Sequence, residues 1–194
     1  FSWSVLIFTS GISIFILLAV FCLAIIFLTY LIIYVPKFDY IQGRILSFFN
    51  RETGTHNFQS DKAIDSITSG GFFGKGIGEG TLKNRVPEAH TDYIISVISE
   101  EFGVIVIILI LVLFLIFIFS ILKKVLSEED EKIKLILVGS ISLILAQALI
   151  HIGVNIRLFP TTGMTLPYLS YGGSSTIGIS ILSGIILNLT KRKI

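Results

Sequence analysis

Four apolar runs, each close to the length of a membrane-spanning helix, constrain the fold of this chain more than any other feature. A helix needs about 20 apolar residues to cross the hydrocarbon core of a bilayer. Of the residues, 53% are hydrophobic and 14% are charged, whereas soluble domains have about 25% charged residues. The sequence therefore predicts an all-α integral membrane protein, a polytopic helix bundle. Its complete spanning helices are expected at residues 14–35, 103–122, 135–154 and 173–189.

The remaining segments are defined by their positions between these helices. Residues 1–13 open with Phe1 instead of methionine and begin apolar. They are interpreted as the end of a fifth spanning helix followed by a short cytoplasmic turn, so the sequence is expected to be a C-terminal fragment. The connections are expected to be a large extracytoplasmic loop at 36–102, a cytoplasmic loop at 123–134, an extracytoplasmic re-entrant loop at 155–172 and a cytoplasmic tail at 190–194.

Basic residues in the short loops predict the orientation, because cytoplasmic loops are enriched in lysine and arginine. The segment 123–134 carries four lysines and the tail carries three basic residues, whereas 155–172 has only Arg157. The tail is thus predicted to be cytoplasmic and the 36–102 loop extracytoplasmic. ATP is absent outside the cytoplasm, which argues against a kinase or an ATPase.

Several other function classes find no support in the sequence. The net charge is +2 and the basic residues are scattered, so no nucleic-acid partner is expected. The single cysteine, Cys22, cannot form an internal disulfide. The histidines and glutamates lack the spacing of a zinc site, and no Gly-x-Ser-x-Gly motif of a serine hydrolase is present.

A glycine-rich stretch, GGFFGKGIGEG, occupies residues 70–80 and contains Lys75. Glycines allow backbone N–H groups to approach a ligand closely, and such a loop with a lysine can cradle a phosphate. The alternative is a flexible re-entrant loop whose glycines only permit tight turns. Taken alone, the stretch favours this second interpretation.

The stretch LKNRVPEAHTDYIISVISEEFG, residues 82–103, precedes an apolar helix and places five ionisable residues within ten positions: Lys83, Arg85, Glu88, His90 and Asp92. Charge at the edge of a bilayer is costly and is commonly functional. Thr91 or Asp92 is placed to cap the helix that follows, with Glu100 and Glu101 as ordinary interfacial charges. Alternatively, Asp92 is a general base whose pKa is raised by burial or hydrogen bonding. Spacing alone does not decide between these interpretations.

Neighbouring side chains would fit the second interpretation. Lys83 and Arg85 would hold an anionic substrate close to the carboxylate of Asp92. His90 would be a second acid or base, although a lone histidine is more often only hydrogen-bonded.

Three polar residues, Gln147, His151 and Asn155, follow at four-residue intervals in the predicted helix 135–154. They share one face of the helix, which should meet the interior of the bundle and not lipid. They are interpreted as interhelical contacts, with a substrate path as the alternative.

The stretch RLFPTTGMTLPYLSYGGSS, residues 157–175, cannot form a continuous helix because it contains Pro160 and Pro167. Irregular backbone at membrane depth is tolerated where it is buried in protein or lines a cavity. Ser174 and Ser175 open the last helix, whose free N–H groups offer an anion site. Packing through small residues is the alternative.

Together these motifs resemble the SEDS family of bacterial wall synthesis. The resemblance rests on VPEAHTDYI, SEEFG, the glycine-rich stretch and FPTTGMTLPYLSYGGSS, in that family's order and spacing. It implies ten spanning helices with both termini cytoplasmic, of which this chain supplies the end of the sixth and the seventh to tenth. GEGTLK and TGMTLP look closer to the FtsW branch than to the RodA branch. Departures are Tyr93 and Ile95, where phenylalanine is usual, and Thr162, where many FtsW chains have lysine.

The resemblance implies a peptidoglycan glycosyltransferase that polymerises lipid II through β-1,4 bonds and releases undecaprenyl diphosphate. The essential aspartate of the family matches Asp92, which would be the general base. No cofactor is fixed by the resemblance, although Mg²⁺ or Mn²⁺ would stabilise the leaving diphosphate as the basic residues would. The residues expected to bind substrate are Lys75, Lys83, Arg85, Glu88, His90, Thr91, Ser174 and Ser175.

The implied partners are lipid II, a class B penicillin-binding protein and other membrane proteins of the divisome. The implied location is the bacterial inner membrane at the division septum, and an isolated fragment is expected to be inactive. Two alternatives stay open: a flippase for lipid II, to which broken helices and intramembrane polar residues are also suited, and a non-catalytic divisome scaffold.

Overall fold

The computed structural model describes residues 5–7, 11, 13–49, 55–86 and 89–191. This part of the chain is built from helices and contains no β-strand. A 3₁₀ turn at Pro36–Phe38 follows the first helix. The α-helices are α1 (Ile14–Tyr34), α2 (Asp39–Phe49), α3 (Thr55–Gly70), α4 (Leu82–Arg85), α5 (Ile94–Phe102), α6 (Val104–Ser127), α7 (Glu131–Asn155) and α8 (Gly173–Lys191).

Within the described residues, α1, α6, α7 and α8 are long and apolar enough to cross a bilayer. This confirms the predicted fold class, an all-α polytopic membrane protein. Helix α7 is the most buried of these helices and packs against both α6 and α8. The buried aliphatic residues of this contact are Ile118, Ile121, Val125, Leu137, Ile141, Ile144, Ile179 and Ile186.

The charged connection between α6 and α7 is much shorter than expected. Residues 123–127 still belong to α6 and α7 begins at Glu131, so the prediction of a loop over 123–134 was wrong at both ends. Lysine is a good helix former, and the Asp130 carboxylate caps α7 by accepting the N–H of Lys132 over 2.9 Å. Hydropathy marks where a helix leaves the bilayer and not where the helix ends.

The segment 36–102 was expected to be a loop and instead contains α2, α3, α4 and α5 in its described part. These helices are between 4 and 16 residues long. They are too short to cross a bilayer. They are also too polar to be recognised from hydropathy, because only one face of each helix is buried. In α5, for example, the buried residues are Ile95, Ser96, Val97, Ser99 and Glu100.

A second apolar cluster joins these shorter helices to the end of α7. It places α3, α4 and α5 against Val154, one residue before α7 ends. The cluster thereby packs the stretch around Asp92 against a spanning helix. Its buried members are Ala63, Leu82, Val86, Ala89, Tyr93, Val97 and Val154.

The expected helix cap at Thr91 or Asp92 is wrong. The first helix after this stretch is α5, whose N-cap is Tyr93 and has no side-chain capping bond. The apolar helix α6 starts only after Gly103, which has a φ of 83°. A Cβ atom at Gly103 would lie 2.2 Å from the carbonyl oxygen of Phe72, so only glycine fits where the glycine-rich stretch packs against this junction.

Three parts of the chain remain: its two ends and the proline–glycine segment, residues 156–172. Most of the expected stub at 1–13, and residues 192–194 of the tail, lie outside the described residues. Residues 156–172 form turns and irregular backbone without a helix, as the two prolines predicted.

Candidate active site

Asn155, the last residue of α7, fixes the beginning of α5 against the spanning helices. Its side chain is fully buried. Its Nδ2 atom donates to the main-chain carbonyl of Asp92 over 3.0 Å and to that of His151 over 2.9 Å. Its Oδ1 atom accepts the N–H of Ser96 over 3.2 Å and the Ser96 hydroxyl over 2.8 Å. One amide thus connects α7, α5 and the backbone of Asp92.

His151, one turn earlier on α7, holds the residue before Asp92. Its Nε2 atom lies 3.3 Å from the carbonyl oxygen of Thr91, and its Nδ1 atom lies 3.3 Å from Nδ2 of Asn155. A carbonyl oxygen only accepts and an amide nitrogen only donates. We therefore assign the proton to Nε2 and an acceptor role to Nδ1, which makes the buried imidazole a neutral hydrogen-bonding group.

The proline–glycine segment binds the same stretch of backbone. The Ser170 hydroxyl donates to the Thr91 carbonyl over 2.8 Å and accepts the N–H of Leu166 over 2.7 Å. The N–H of Tyr171 donates to the carbonyl of His90 over 3.2 Å. The carbonyl groups of residues 90–92 are therefore all hydrogen-bonded to α7 or to this segment.

The side chains on this backbone differ in exposure. Those of Asp92 and Thr91 are half-buried, and that of His90 is exposed. An ideal Cβ atom on Gly163 of the proline–glycine segment would lie 3.9 Å from Oδ2 of Asp92, so the carboxylate lies beside this glycine. A carboxylate carried on a fixed backbone and partly open to its surroundings is suited to take a proton from a bound hydroxyl group.

Gln147 connects α7 to the start of α8. Its Nε2 atom donates to the carbonyl and hydroxyl oxygens of Thr165, over 2.9 and 3.1 Å, and to the hydroxyl of Ser175 over 2.9 Å. The Thr165 hydroxyl donates to that of Ser175 over 2.7 Å. Ser175 is thus engaged in contacts within the protein, whereas Ser174 is exposed. Anion binding by these serines, and a substrate path along Gln147, His151 and Asn155, stay predictions.

Glu100 is the residue of this region that the sequence interpretation missed. It was taken as an ordinary interfacial charge, but its side chain is only 1% exposed. The carboxylate accepts from Lys75 Nζ over 2.8 Å, from the N–H and hydroxyl of Thr81 over 3.0 Å each, and from the N–H of Leu82 over 2.9 Å. Glu100 follows Ser96 by four residues and therefore lies on the same, buried face of α5. This spacing was the available signal of its burial.

The electrostatics of Glu100 follow from these contacts. Burial raises the pKa of the carboxyl, but the bonds from Lys75, Leu82 and Thr81 together outweigh burial and lower the pKa to about 2. The carboxylate is therefore ionised, and its negative charge is balanced by the ammonium group of Lys75. Lys75 was expected to bind phosphate; its ammonium pairs with this buried carboxylate, and phosphate binding by it stays a prediction.

The other predicted residues occupy different surroundings. Lys83 belongs to α4, but its side chain and the whole of Glu88 lie outside the described residues. Arg85 is exposed and borders a polar cleft of about 130 Å³ that also includes Lys62 and Thr81. Arg157 forms an ion pair with Asp61 of α3.

A protein-built metal site is not offered by the described residues, in which no group of three His, Cys, Asp or Glu side chains comes together. Mg²⁺ is often held by one or two carboxylates together with substrate phosphates. Asp92 and a bound diphosphate would fit that arrangement only in part. Participation of Mg²⁺ or Mn²⁺ stays a prediction.

The comparisons with known proteins all indicate the same family. The family model described as "Cell cycle protein", covering FtsW, RodA and SpoVE, matches residues 1–194. The chain is 37% identical over 157 residues to the probable peptidoglycan glycosyltransferase FtsW of Caulobacter vibrioides, covering 80% of this chain and 40% of that protein. The same-named protein of Trichlorobacter lovleyi is 35% identical over 190 residues, covering 96% of this chain and 49% of that protein.

A solved structure has a similar fold over almost the whole chain. It is a peptidoglycan synthase complex, described as coordinating polymerization and crosslinking, and one of its chains aligns with a TM-score of 0.75 and 26% identity. The alignment covers 98% of this chain and 52% of that chain. This chain therefore spans about half the length of the proteins that it matches.

Proposed function

The chain belongs to the FtsW/RodA/SpoVE family of cell cycle proteins, and on this basis we propose that the complete protein is a peptidoglycan glycosyltransferase for septal wall synthesis. Membership confirms the resemblance seen in the sequence motifs. The printed names of the curated relatives, probable peptidoglycan glycosyltransferase FtsW, support the activity. They also favour the division branch over the elongation branch.

The proposed reaction joins lipid II units by β-1,4 bonds. Asp92 accepts the proton of the acceptor hydroxyl group as its oxygen forms a bond to the anomeric carbon of the donor. The bond between that carbon and the diphosphate oxygen breaks, and undecaprenyl diphosphate leaves with the electron pair. Inversion in one displacement needs a base and a stabilised leaving group but no protein nucleophile, so one carboxylate is sufficient.

The observation that carries this proposal is the hydrogen bonding of the Asp92 backbone. Catalytic groups must keep a precise geometry, which rigid elements provide better than loops. The carbonyl of Asp92 is held by Asn155, and the carbonyl of Thr91 by His151 and Ser170. The Asp92 side chain stays half-buried, which supports its role as the base.

Basic residues in the stretch that precedes Asp92 support binding of the diphosphate. Arg85 is exposed at a polar cleft in the same stretch of chain, and a guanidinium group binds phosphate oxygens in a bidentate manner. We assign the leaving diphosphate to Arg85 and Lys83. The other residues predicted to bind substrate stay candidates for that role: Lys75, Glu88, His90, Thr91, Ser174 and Ser175.

The proposed setting is the bacterial inner membrane at the division septum, with residues 36–102 extracytoplasmic and the C-terminus cytoplasmic. The solved structure of similar fold is part of a peptidoglycan synthase complex. This similarity supports a partner such as a class B penicillin-binding protein, which would cross-link the strands as they are made. Other divisome membrane proteins are proposed as further partners.

The decisive experiment uses the complete protein, purified with its cognate transpeptidase and supplied with labelled lipid II. Glycan chains would be compared between the wild type and Asp92→Asn at matched levels of inserted protein. Asp39→Asn is the matched control, because Asp39 is exposed at the start of α2. We expect polymer from the wild type and from Asp39→Asn, and a loss of at least about a hundredfold in Asp92→Asn.

Other outcomes point elsewhere. Polymerisation by Asp92→Asn at the wild-type rate would exclude Asp92 as the base. Absence of polymer from every variant, with lipid II still crossing vesicle membranes, would indicate a flippase. Absence of both activities, with the transpeptidase stimulated by wild type and Asp92→Asn alike, would indicate a scaffold.

A further inference from the structure

We propose that Glu100 is a positioning residue for Asp92. It joins the two ends of the loop that carries this candidate general base, and this junction is called the base of the loop. The catalytic part of this inference rests on the proposed function. The loop runs from Thr81 to Glu100, and Asp92 lies within it. Glu100 itself does not contact the reacting groups in this proposal and acts through the backbone.

The closure consists of hydrogen bonds to one buried carboxylate. Thr81 and Leu82, at the beginning of the loop, donate three of these bonds to Glu100 at its end. Lys75 adds a charge-assisted bond from the glycine-rich stretch. The bonds join residues that are 18, 19 and 25 positions apart in the sequence. They therefore remove much of the freedom of the chain between them.

The glycine-rich stretch packs tightly against the same end of α5. The N–H of Lys75 donates to the carbonyl of Glu100 over 2.9 Å, and that of Gly76 to the carbonyl of Glu101 over 3.0 Å. An ideal Cβ atom on Gly80 would lie 3.2 Å from Oε2 of Glu100, so the backbone lies directly beside the carboxylate. The stretch supplies the lysine and holds it in place.

The opposite part of the loop is held by the membrane helices. Asn155 and His151 bind the carbonyls of Asp92 and Thr91, while Leu82, Val86 and other loop residues fill the apolar cluster against Val154. The loop is thus fixed at its base by Glu100 and near Asp92 by α7. Opening of the base would leave the backbone around Asp92 held only by α7 and by the proline–glycine segment, and its carboxylate would lose its defined position.

A carboxylate is required for this closure. A glutamine at position 100 keeps the size of the side chain, but it has one acceptor oxygen in place of two. Its NH₂ group would face the donors of Thr81 or Leu82, and the charge that pairs with Lys75 would be lost. Glu100→Gln is therefore expected to open the base of the loop with little change of volume in the core.

The test uses the complete protein with its transpeptidase. Glu100→Gln is compared with Glu79→Gln, a matched change of an exposed glutamate in the glycine-rich stretch. The measurements are kcat and KM for lipid II polymerisation, and amide hydrogen exchange resolved by peptide. For Glu100→Gln we expect kcat to fall about tenfold to a hundredfold, the cost of misplacing a catalytic group, with KM changed little. Exchange should become faster in residues 81–93, and Glu79→Gln should match the wild type in both measurements.

Lys75→Met provides a second variant if Glu100→Gln inserts poorly. It removes one of the bonds to Glu100 and leaves those from Thr81 and Leu82. We therefore expect a smaller fall in kcat and a smaller increase in hydrogen exchange than in Glu100→Gln. Wild-type kcat in folded Glu100→Gln, or faster exchange spread evenly over all helices, would overturn the positioning role. Absence of polymer from the wild type would overturn the proposed function instead, and with it the catalytic part of the inference. The exchange data would still decide whether Glu100 closes the loop.

Discussion

The side-chain amide of Asn155 donates a 3.0 Å hydrogen bond to the main-chain carbonyl of Asp92. The last residue of a spanning helix thus holds the backbone of the candidate base, while the carboxylate itself is not used in that bond. A polar residue in a membrane helix is costly unless it has partners. Here the same amide is also bonded to Ser96 and His151, so its side chain both holds the helices together and places Asp92.

Removal of this amide should affect stability and activity together. Asn155→Ala leaves the buried N–H of Ser96 and the carbonyl of Asp92 without their partner, and each unsatisfied group costs about 1–3 kcal/mol. We expect a lower Tm in detergent and a fall in kcat for polymerisation. Asn188→Ala is the matched control, because Asn188 lies exposed on α8. Equal effects of the two substitutions would contradict a special role for Asn155.

The carbonyl of Thr91 offers a test of cooperation between two donors. It accepts from His151 Nε2 and from the Ser170 hydroxyl. In His151→Leu or Ser170→Ala one donor remains, whereas the double variant loses both. The double variant should therefore lose more stability than the sum of the single variants, with a coupling energy of about 0.5–3 kcal/mol.

A control cycle pairs His151→Leu with Ser183→Ala. Ser183 is bonded to Tyr168 and to the Ile179 carbonyl and shares no partner with His151. The stability losses of that pair, measured by thermal unfolding, should add. Additive losses for His151 and Ser170 as well would show that the Thr91 carbonyl is not a shared acceptor.

The spanning helices could be predicted from the sequence because apolar length is a property of consecutive residues. Asp92 was identified from its motif, but spacing alone left capping and catalysis equally open. The start of α5 after Tyr93 decides against capping, and no local pattern indicated that start. The short helices between 36 and 102 were missed because each buries one face only.

The contacts of Glu100 illustrate what the sequence could not reveal. Its partners Lys75, Thr81 and Leu82 are 18 to 25 positions away, and their meeting depends on how the glycine-rich stretch folds back onto α5. Sequence spacing identifies pairs within one helix, but it gives no information on such distant pairs.

Gly163 provides a test of the space around the candidate base. Its φ is 69°, where a residue with a Cβ atom is strained by about 1–2 kcal/mol. Its Cβ position is 3.9 Å from Oδ2 of Asp92, so a methyl group would also occupy space beside the carboxylate. Gly163→Ala should therefore lower Tm by a few degrees and lower kcat by more than the loss of folded protein explains.

Gly184→Ala is the control for this substitution. Gly184 lies within α8, and its Cβ position has no atom within 4 Å among the described residues. Alanine is favoured over glycine inside a helix by about 1 kcal/mol, so this variant should keep wild-type activity with an equal or higher Tm. Wild-type kcat in Gly163→Ala would show that the space beside Asp92 is not used by substrate.

Acidification tests the contacts of Glu100 without any assay of activity. Burial raises the pKa of this carboxyl, but the bonds from Lys75, Leu82 and Thr81 outweigh burial and bring the pKa from 4.5 down to about 2. A folded-state pKa below the unfolded value stabilises the protein above the unfolded pKa, and this stabilisation is lost as pH falls through the folded pKa. The wild type should therefore exceed Glu100→Gln in free energy of unfolding by about 1.5–3 kcal/mol above pH 5.

The difference between the two proteins should be constant from pH 7 to pH 5 and should shrink as the pH falls from 4.5 toward 2. Thermal unfolding in detergent at each pH measures it. Lys75→Met should give an intermediate curve, because Thr81 and Leu82 still donate to the carboxylate. A difference that instead grows as the pH falls from 7 to 5 would require a pKa for Glu100 above its ordinary value. Burial would then outweigh the hydrogen bonds, and the carboxylate could not close the loop around Asp92 as a charged acceptor.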